Sequence, residues 1–416
     1  MKTSTFTYQD RDGLELCVYK WAPEGRARAV LQINHGMQEH AGRYVRLASR
    51  LTEAGYLVFA ADLRGHGRSL VGPGKYGMLG SEGWRGVLLN IKQLSDIIRE
   101  AHSGLPLFML GHSWGSFLTQ AFIQRWGDLL QGVILSGTNG ENPLVTIGVF
   151  VSLGVIQLQG ADTTAKLLEK LSMGHFNKKF TPGKTGLEWL SRDEQEVQKY
   201  VDDPLCGIPF PNSFFLEASS MLQAVWEEQH ERQIPRNLPI YFFFGSEDPV
   251  GNEGRGVAAL VCRYLQYGLE DVTTRVYEGG RHEMLNDTAR DEVSGDLLSW
   301  LDEHVPAQVA QRERFEPEAH REQAARPDQA GRPEHSRRPD GPRRPDHPSR
   351  LGRPDHQGRP DHQGRPDHQG RPDRQGRPDH QGRPGNTDHP GRPDLPRRHR
   401  RRRPHNPPTR PPSGET

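Results

Sequence analysis

Short buried runs with β propensity alternate with longer helical patterns along residues 1–305, and this order restricts the possible folds more than any other feature of the chain. Strands are predicted at residues 5–8, 14–21, 29–34, 56–61, 107–110, 132–136, 240–244 and 272–277. Apolar residues at helical spacing predict helices at 42–54, 83–102, 114–126, 252–267 and 287–304. Such alternation indicates an α/β fold in which helices cover both faces of a mostly parallel central sheet.

The alternation stops at residue 139 and resumes at residue 236. We therefore predict a helical cap, or lid, inserted between two parts of one core. The predicted boundaries are 1–138 and 236–305 for the core and 139–235 for the cap. The helix candidates in the cap are residues 146–158 and 188–200.

The first cap helix candidate is apolar nearly all round, which is unusual for a surface helix. It either packs wholly inside the cap or exposes an edge that touches lipid aggregates and admits an acyl chain. Phe210, Phe214 and Phe215 lie later in the cap. They are expected either to line an apolar tunnel or to fill the core of the cap.

The pentapeptide Gly111-His112-Ser113-Trp114-Gly115 stands where a predicted buried strand ends and a helix begins. A nucleophilic serine needs a strained turn at this place, which lifts its hydroxyl above the sheet. Glycine two residues before and after the serine leaves room for the close strand and helix. We therefore predict Ser113 as a nucleophile.

A serine hydroxyl is a poor nucleophile unless a base takes its proton, and the base needs an acid behind it. Asp248 follows the predicted strand at 240–244, and His282 follows the strand at 272–277. The order of serine, acid and histidine along the chain suits this type of site. We predict Asp248 as the acid, with Glu247 as its nearest rival, and His282 as the base.

The oxyanion formed during acyl transfer needs two backbone N–H donors. One is expected from Trp114, the residue after the nucleophile. The other is expected from Met37, in the loop 34–40 that follows the third predicted strand and contains Gly36 for a sharp turn. Because each donor is a backbone group, the side chain of Met37 need not matter.

Several stretches of the chain, between about residues 6 and 304, resemble the monoacylglycerol lipase and lysophospholipase group of α/β-hydrolases, which are serine aminopeptidase S33-like enzymes. They are the elbow at 111–115 and the stretches at 35–44, 62–69, 191–193, 203–205, 245–249 and 280–282. The resemblance implies an α/β-hydrolase fold and a serine hydrolase that cleaves a fatty-acyl ester of monoacylglycerol or lysophospholipid type. It implies a small-molecule substrate and neither a metal nor an organic cofactor. Trp114 departs from the pattern, since relatives often carry methionine there, which affects the expected shape of the acyl pocket.

Other functions fit the same residues. A small-ester carboxylesterase or an aminopeptidase-like amidase would use the same nucleophile, base and acid on a different substrate. A protein of another class, an inactive scaffold whose basic tail binds anionic partners, is the remaining alternative. The intact set of Ser113, His282 and Asp248 argues against the scaffold.

Residues 306–416 differ in composition from the rest of the chain, with 25 arginines and no lysine against 16 acidic residues. A Gly-Arg-Pro-Asp-His-Gln repeat runs from 352 to 381, and large apolar side chains are nearly absent. A segment of this kind cannot offset the entropy of ordering its backbone, so we predict a disordered low-complexity tail. No specific nucleic-acid partner is expected, because stacking aromatics do not accompany the arginines, and any partner of the tail is unknown.

The three cysteines, Cys17, Cys206 and Cys262, are far apart and show no metal-binding spacing. The first residues are polar, and the longest apolar stretch, 147–158, is far shorter than the roughly 20 residues that span a bilayer. We therefore predict a cytoplasmic protein without disulfides, metal ligands or a membrane span.

Overall fold

The computed structural model describes residues 1–307, through which an eight-stranded sheet runs. Its strands are β1 (Lys2–Gln9), β2 (Glu15–Ala22), β3 (Ala29–Asn34), β4 (Tyr56–Ala61), β5 (Leu107–His112), β6 (Gly132–Ser136), β7 (Ile240–Gly245) and β8 (Val272–Tyr277). The sheet order is β1-β2-β4-β3-β5-β6-β7-β8. Only the pairs β1–β2 and β2–β4 are antiparallel among them, so the predicted mostly parallel sheet is confirmed.

The helices in this part of the chain are α1 (Val45–Glu53), α2 (Gly83–Ala101), α3 (Trp114–Trp126), α4 (Leu144–Gln159), α5 (Lys166–Ser172), α6 (Glu194–Asp202), α7 (Asn212–Val225), α8 (Glu228–Glu231), α9 (Arg255–Gln266) and α10 (Arg290–His304). Leu47 of α1 and Leu297 of α10 belong to one hydrophobic core cluster, whereas Leu88 of α2, Leu118 of α3 and Leu260 of α9 belong to another. The two clusters pack on opposite faces of the sheet. Strands β3 to β7 are buried along their whole length for this reason.

Helices α4 to α8 all lie between β6 and β7, in the segment 139–235. We refer to this segment as the cap, and its role as a separate domain stays a proposal. The second predicted helix of the cap is found as α6, and it begins later than predicted, at Glu194 instead of residue 188. The reason is Asp193, whose side chain accepts the N–H groups of Gln195 and Glu196 and so caps the first turn of α6.

Helix α4 packs against α7, where Gly148 allows close approach to Ser219. Its only buried side chains are those of Ser152 and Val155. Its exposed large apolar residues are Leu144, Ile147, Phe150, Val151, Leu153 and Leu158. The interpretation that this helix packs wholly inside the cap is therefore wrong, and the exposed apolar edge is the arrangement found.

Parallel strands bring the loops after their carboxyl ends to one edge of the sheet. In the register of this sheet, Asn34 of β3 lies beside Gly111 of β5, and His112 lies beside Ser136 of β6. The loops that follow β3, β5, β7 and β8 therefore meet at this edge. These loops carry all of the predicted site residues.

The predicted tail lies outside the described residues from residue 308 onward. Within residues 1–307 no helix is both long and apolar enough to cross a membrane. Cys17, Cys206 and Cys262 are all free thiols.

Candidate active site

Ser113 occupies a sharp turn between β5 and α3. Its backbone has φ 50° and ψ −120°, a conformation that few residues other than glycine adopt. The N–H of Ser113 donates to the carbonyl of Ser136 at 2.9 Å, and the N–H of Ser116 donates to the carbonyl of Ser113 at 2.8 Å. These contacts hold the strained turn in place, with the Ser113 side chain only partly buried.

The two glycines of the elbow are required by close approach of backbone. A Cβ on Gly115 would lie 2.1 Å from the carbonyl oxygen of Asn34 in β3. A Cβ on Gly111 would lie 2.4 Å from Thr119 Oγ1 and 2.5 Å from the Gly115 carbonyl oxygen. Neither position has room for a side chain, so the pattern around Ser113 follows from strand and helix packing.

Asp248 and His282 form a buried pair at the same edge of the sheet. His282 Nδ1 lies 3.0 Å from each carboxylate oxygen of Asp248, and both side chains are almost fully excluded from solvent. The N–H of Val250 donates to Asp248 Oδ1 at 2.9 Å and fixes the carboxylate. This arrangement places the Nδ1 proton of a neutral His282 on the Asp248 side and leaves Nε2 as the basic atom.

The surroundings of His282 favour its protonated form. Burial alone would lower its pKa, but Asp248, with weaker contributions from Glu283 and Glu39, outweighs burial and raises the pKa above the usual value. Glu247, the rival acid, instead lies 3.2 Å from Lys179 and is partly exposed. Asp248 is therefore the carboxylate that faces the histidine.

The Ser113 and His282 side chains lie at one edge of the sheet without a hydrogen bond between them in the described part of the chain. The His282 ring is 4.8 Å from the ring of His112, the residue before Ser113, measured between centroids. It also borders Gly137, after β6, where a Cβ would lie 2.8 Å from His282 Cε1. Contacts between nucleophile and base are often longer in a free enzyme than in its substrate complex.

The two predicted oxyanion donors are also at this edge. Trp114 is the first residue of α3, so its N–H has no partner within the helix. Gly36 lies against the nucleophile, since a Cβ there would be 3.2 Å from Ser113 Cβ, and Met37 is the next residue. Within residues 1–307, neither the Met37 nor the Trp114 N–H donates a hydrogen bond, which leaves both available.

An aromatic cluster from the cap packs beside the nucleophile. The ring of Trp114 lies 5.1 Å from that of Phe214 on α7, and Phe214 lies 4.6 Å from Phe210. Phe210, Phe214 and Phe215 are all buried. The cap aromatics therefore border the residue next to Ser113.

Three other histidines surround the site and are buried. His35 Nε2 accepts the N–H of Leu63 at 2.9 Å, and His66 Nδ1 lies 3.2 Å from the carbonyl of Arg64. Burial lowers the pKa of His35 and of His66 to about 3 and that of His112 to about 4. All three are therefore neutral near pH 7, and we interpret them as structural residues.

A buried ionic cluster connects the loop after β3 that carries Met37 (the oxyanion loop, 34–40) to the loop after β8 that carries His282 (the histidine loop, 278–283), and no sequence pattern indicated it. Arg43 donates to Glu39 at 2.6 Å and to both carboxylate oxygens of Glu283 at 2.8 and 2.7 Å. Glu39 also accepts the Gly36 N–H at 2.6 Å and the Tyr44 hydroxyl at 3.0 Å. Burial would raise the pKa of both glutamates, but Arg43 outweighs burial and lowers each pKa.

Replacing Arg43 by methionine is expected to lower the free energy of unfolding by about 3–5 kcal/mol, because two buried carboxylates lose their partner. Arg46→Met is the control: this arginine is partly exposed and pairs with Glu196, so the expected loss is about 0–1 kcal/mol. Urea denaturation measures the free energy of unfolding of both variants.

The lowered pKa values of Glu39 and Glu283 mean that these glutamates stabilise the fold above their unfolded pKa and lose this effect as the pH falls through the folded pKa. The difference between the wild type and Arg43→Met should therefore shrink below about pH 4, and a constant difference would contradict the assignment.

A second cluster, His40, Asp203 and Cys206, places three donor atoms within 4.8 Å of one another. Both ring nitrogens of His40 already have partners, because Nδ1 accepts the Gly42 N–H at 3.2 Å and Nε2 lies 2.9 Å from Asp203. Burial raises the pKa of the Cys206 thiol, so it stays protonated. The cluster is therefore explained as a histidine–carboxylate pair that joins the cap to the loop after β3.

Comparison with known proteins identifies relatives over most of the described chain. The family model for serine aminopeptidase, S33, matches residues 25–289. A monoacylglycerol lipase of Mycolicibacterium smegmatis is 29% identical in an alignment over 306 residues that covers 70% of this chain and 95% of that protein. A human monoglyceride lipase is 30% identical in an alignment over 283 residues that covers 65% of this chain and 80% of that protein.

Solved structures agree with the sequence relatives. A thermostable carboxyl esterase from Bacillus coagulans, solved with glycerol, has a TM-score of 0.69 at 29% identity and covers 74% of this chain and 100% of its own. A lipase in an open form has a TM-score of 0.67 at 27% identity and covers 73% of this chain and 99% of its own. The predicted α/β-hydrolase fold is thereby confirmed.

Proposed function

Because the chain belongs to the serine aminopeptidase S33 family, we propose that it cleaves a fatty-acyl ester through Ser113, His282 and Asp248. Lipase and esterase relatives identify it as a serine ester hydrolase. The observation that carries the proposed mechanism is the strained Ser113 turn at the same sheet edge as the buried Asp248–His282 pair.

The proposed reaction has two halves. His282 Nε2 takes the Ser113 proton while Oγ attacks the acyl carbon, and the Met37 and Trp114 N–H groups bind the oxyanion. As the carbon–oxygen bond to the alcohol breaks, His282 returns the proton to the leaving oxygen, and the acyl group remains on Ser113. Water then gives one proton to His282 and attacks the acyl carbon. As the bond from this carbon to Oγ breaks, His282 returns the proton to Oγ, which releases the fatty acid and restores Ser113. Asp248 stabilises the imidazolium in both halves.

Monoacylglycerol or lysophospholipid is the substrate class we propose. The relatives named monoacylglycerol lipase and monoglyceride lipase support this choice. The buried aromatic cluster of Trp114, Phe210 and Phe214 supports an apolar acyl site beside the nucleophile. The exposed apolar edge of α4 supports peripheral contact with lipid aggregates through the cap. The free cysteines support a cytoplasmic location.

Two other activities have support of their own. The Bacillus coagulans carboxyl esterase favours a small-ester esterase, and the family description favours an aminopeptidase-like amidase. The inactive scaffold has no support, because Asp248, His282 and Ser113 are intact at one sheet edge.

A substrate panel separates these functions. We expect glycerol release from medium-chain and long-chain monoacylglycerols to have the highest kcat/KM among alkyl esters, because the acyl chain adds buried apolar contact. The panel also contains lysophosphatidylcholine, ethyl acetate and alanine p-nitroanilide. The control is enzyme inactivated with phenylmethylsulfonyl fluoride. Faster cleavage of ethyl acetate would favour the small-ester esterase. Faster release of p-nitroaniline would favour the amidase.

A further inference from the structure

A short part of the cap, residues 188–193, runs along the loop that carries the proposed base. The N–H of His282 donates to the carbonyl of Trp189 at 3.3 Å, and the N–H of Glu283 donates to the carbonyl of Leu190 at 2.7 Å. Arg281 donates to the carbonyls of Glu188 and Ser191 at 2.6 and 2.9 Å. We call residues 188–193 the brace, because their backbone holds three consecutive residues of the histidine loop.

Side chains fasten the brace at its far end. Arg192 Nε donates to the buried carboxylate of Asp287 at 2.8 Å, and its backbone N–H donates to the same group at 3.0 Å. Asp193 pairs with Arg290 at 2.6 Å, and Ser191 Oγ donates to the Asn286 carbonyl at 2.9 Å. The brace is therefore held from both sides of His282 and is fixed relative to it.

This arrangement places an indole ring against the base. The ring centroids of Trp189 and His282 are 5.0 Å apart, with 37° between their planes. Trp189 is half-buried and is itself held, since its backbone N–H donates to Asn177 Oδ1 at 2.9 Å and its ring centroid lies 5.0 Å from that of Phe176. An aromatic face within about 6 Å of a cation attracts it, and indole is the strongest of the natural aromatic side chains.

We propose that Trp189 is a positioning residue for His282, which it holds in the orientation used for proton transfer and whose imidazolium form it stabilises. This inference rests on the proposed function of His282. The titratable groups that face the imidazole are Asp248 after β7, His112 at the end of β5, Glu39 after β3 and Glu283 on its own loop. Trp189 adds an uncharged π face to this set.

Two substitutions separate the π face from simple packing. Trp189→Phe keeps an aromatic face against His282, whereas Trp189→Leu keeps an apolar cover without one. Hydrolysis of p-nitrophenyl butyrate is measured as a function of pH for both variants. Trp126→Leu is the matched control, since it makes the same change in another partly buried indole, at the carboxyl end of α3, whose ring contacts Phe122 instead of His282.

We expect Trp189→Phe to keep kcat within about threefold and Trp189→Leu to lower kcat about tenfold, with KM almost unchanged in both. In Trp189→Leu the acid limb of kcat/KM should move to lower pH, because a less stable imidazolium has a lower pKa. Trp126→Leu should leave kcat and the acid limb unchanged. Equal rates for the Phe and Leu variants, or a loss confined to KM, would overturn the proposal.

Folding and the proposed function are checked separately. If Trp189→Leu has a much lower melting temperature, Trp189→Met supplies the non-aromatic comparison with the same expected outcome. A fluorophosphonate probe that labels Ser113 in the wild type tests the nucleophile. Absence of that labelling would refute the proposed function, whereas normal labelling with equal Phe and Leu variants would refute only the role of Trp189.

Discussion

Replacing Ser113 by alanine is expected to lower kcat/KM by about 10⁴-fold or more, because the proposed acyl-enzyme forms on the hydroxyl that is removed. Alanine fits the site, since serine already adopts φ 50° there and the hydroxyl makes no hydrogen bond within residues 1–307. The melting temperature should therefore stay almost the same. Rates on a monoacylglycerol and on a p-nitrophenyl ester measure the effect.

Ser103→Ala is the control for this experiment, because Ser103 is exposed in the loop after α2, which precedes β5, whereas the elbow lies at the carboxyl end of that strand. It should keep full activity and full labelling by a fluorophosphonate, whereas Ser113→Ala should lose both. Full activity in Ser113→Ala would show that the proposed mechanism is wrong.

Replacing Asp248 by asparagine is expected to lower kcat about 10⁴-fold at neutral pH, because the amide no longer stabilises the imidazolium or selects the correct tautomer. The shape of the pH profile should change as well. In the wild type the pKa of His282 is raised mainly by Asp248 against the opposing effect of burial, and the neutral imidazole is the active base. Activity is therefore lost as the pH falls below this raised pKa, and in Asp248→Asn the acid limb should move to lower pH.

Glu247→Gln is the matched control, since it makes the same chemical change one residue earlier. Glu247 faces Lys179 and the solvent, so kcat should change by no more than about threefold. Rates measured between about pH 5 and pH 9 cover the expected limb. A larger loss in Glu247→Gln than in Asp248→Asn would mean that the acid was assigned to the wrong residue.

Patterns local in sequence predicted the sheet well. Helix α3 begins and ends where its apolar spacing predicts, at Trp114 and Trp126, and each of the eight predicted strands overlaps a strand of the sheet. The family resemblance is confirmed by the match over residues 25–289. The assignments of Ser113, Asp248 and His282 stay predictions, because their roles await the substitutions above.

Local patterns failed where the conformation or exposure of a segment depends on residues distant in sequence. The brace has helical spacing, but its Trp189 and Leu190 carbonyls bond to the histidine loop, and α6 begins only after Asp193. The exposure of α4 could not be read from its composition either. An apolar helix looks the same in sequence whether a neighbour covers it or not.

The sequence by itself determined the order of strands and helices, the elbow around Ser113 and the loops that carry Asp248 and His282, because periodicity and glycine positions are properties of short segments. Only the tertiary structure decided that Arg43 bridges Glu39 to Glu283, 240 positions later, and that Trp189 lies on His282. Such contacts depend on how distant segments pack, and no local pattern carries that information. The fold thus brings a charged cluster and an indole ring to the loops for which this chemistry is predicted.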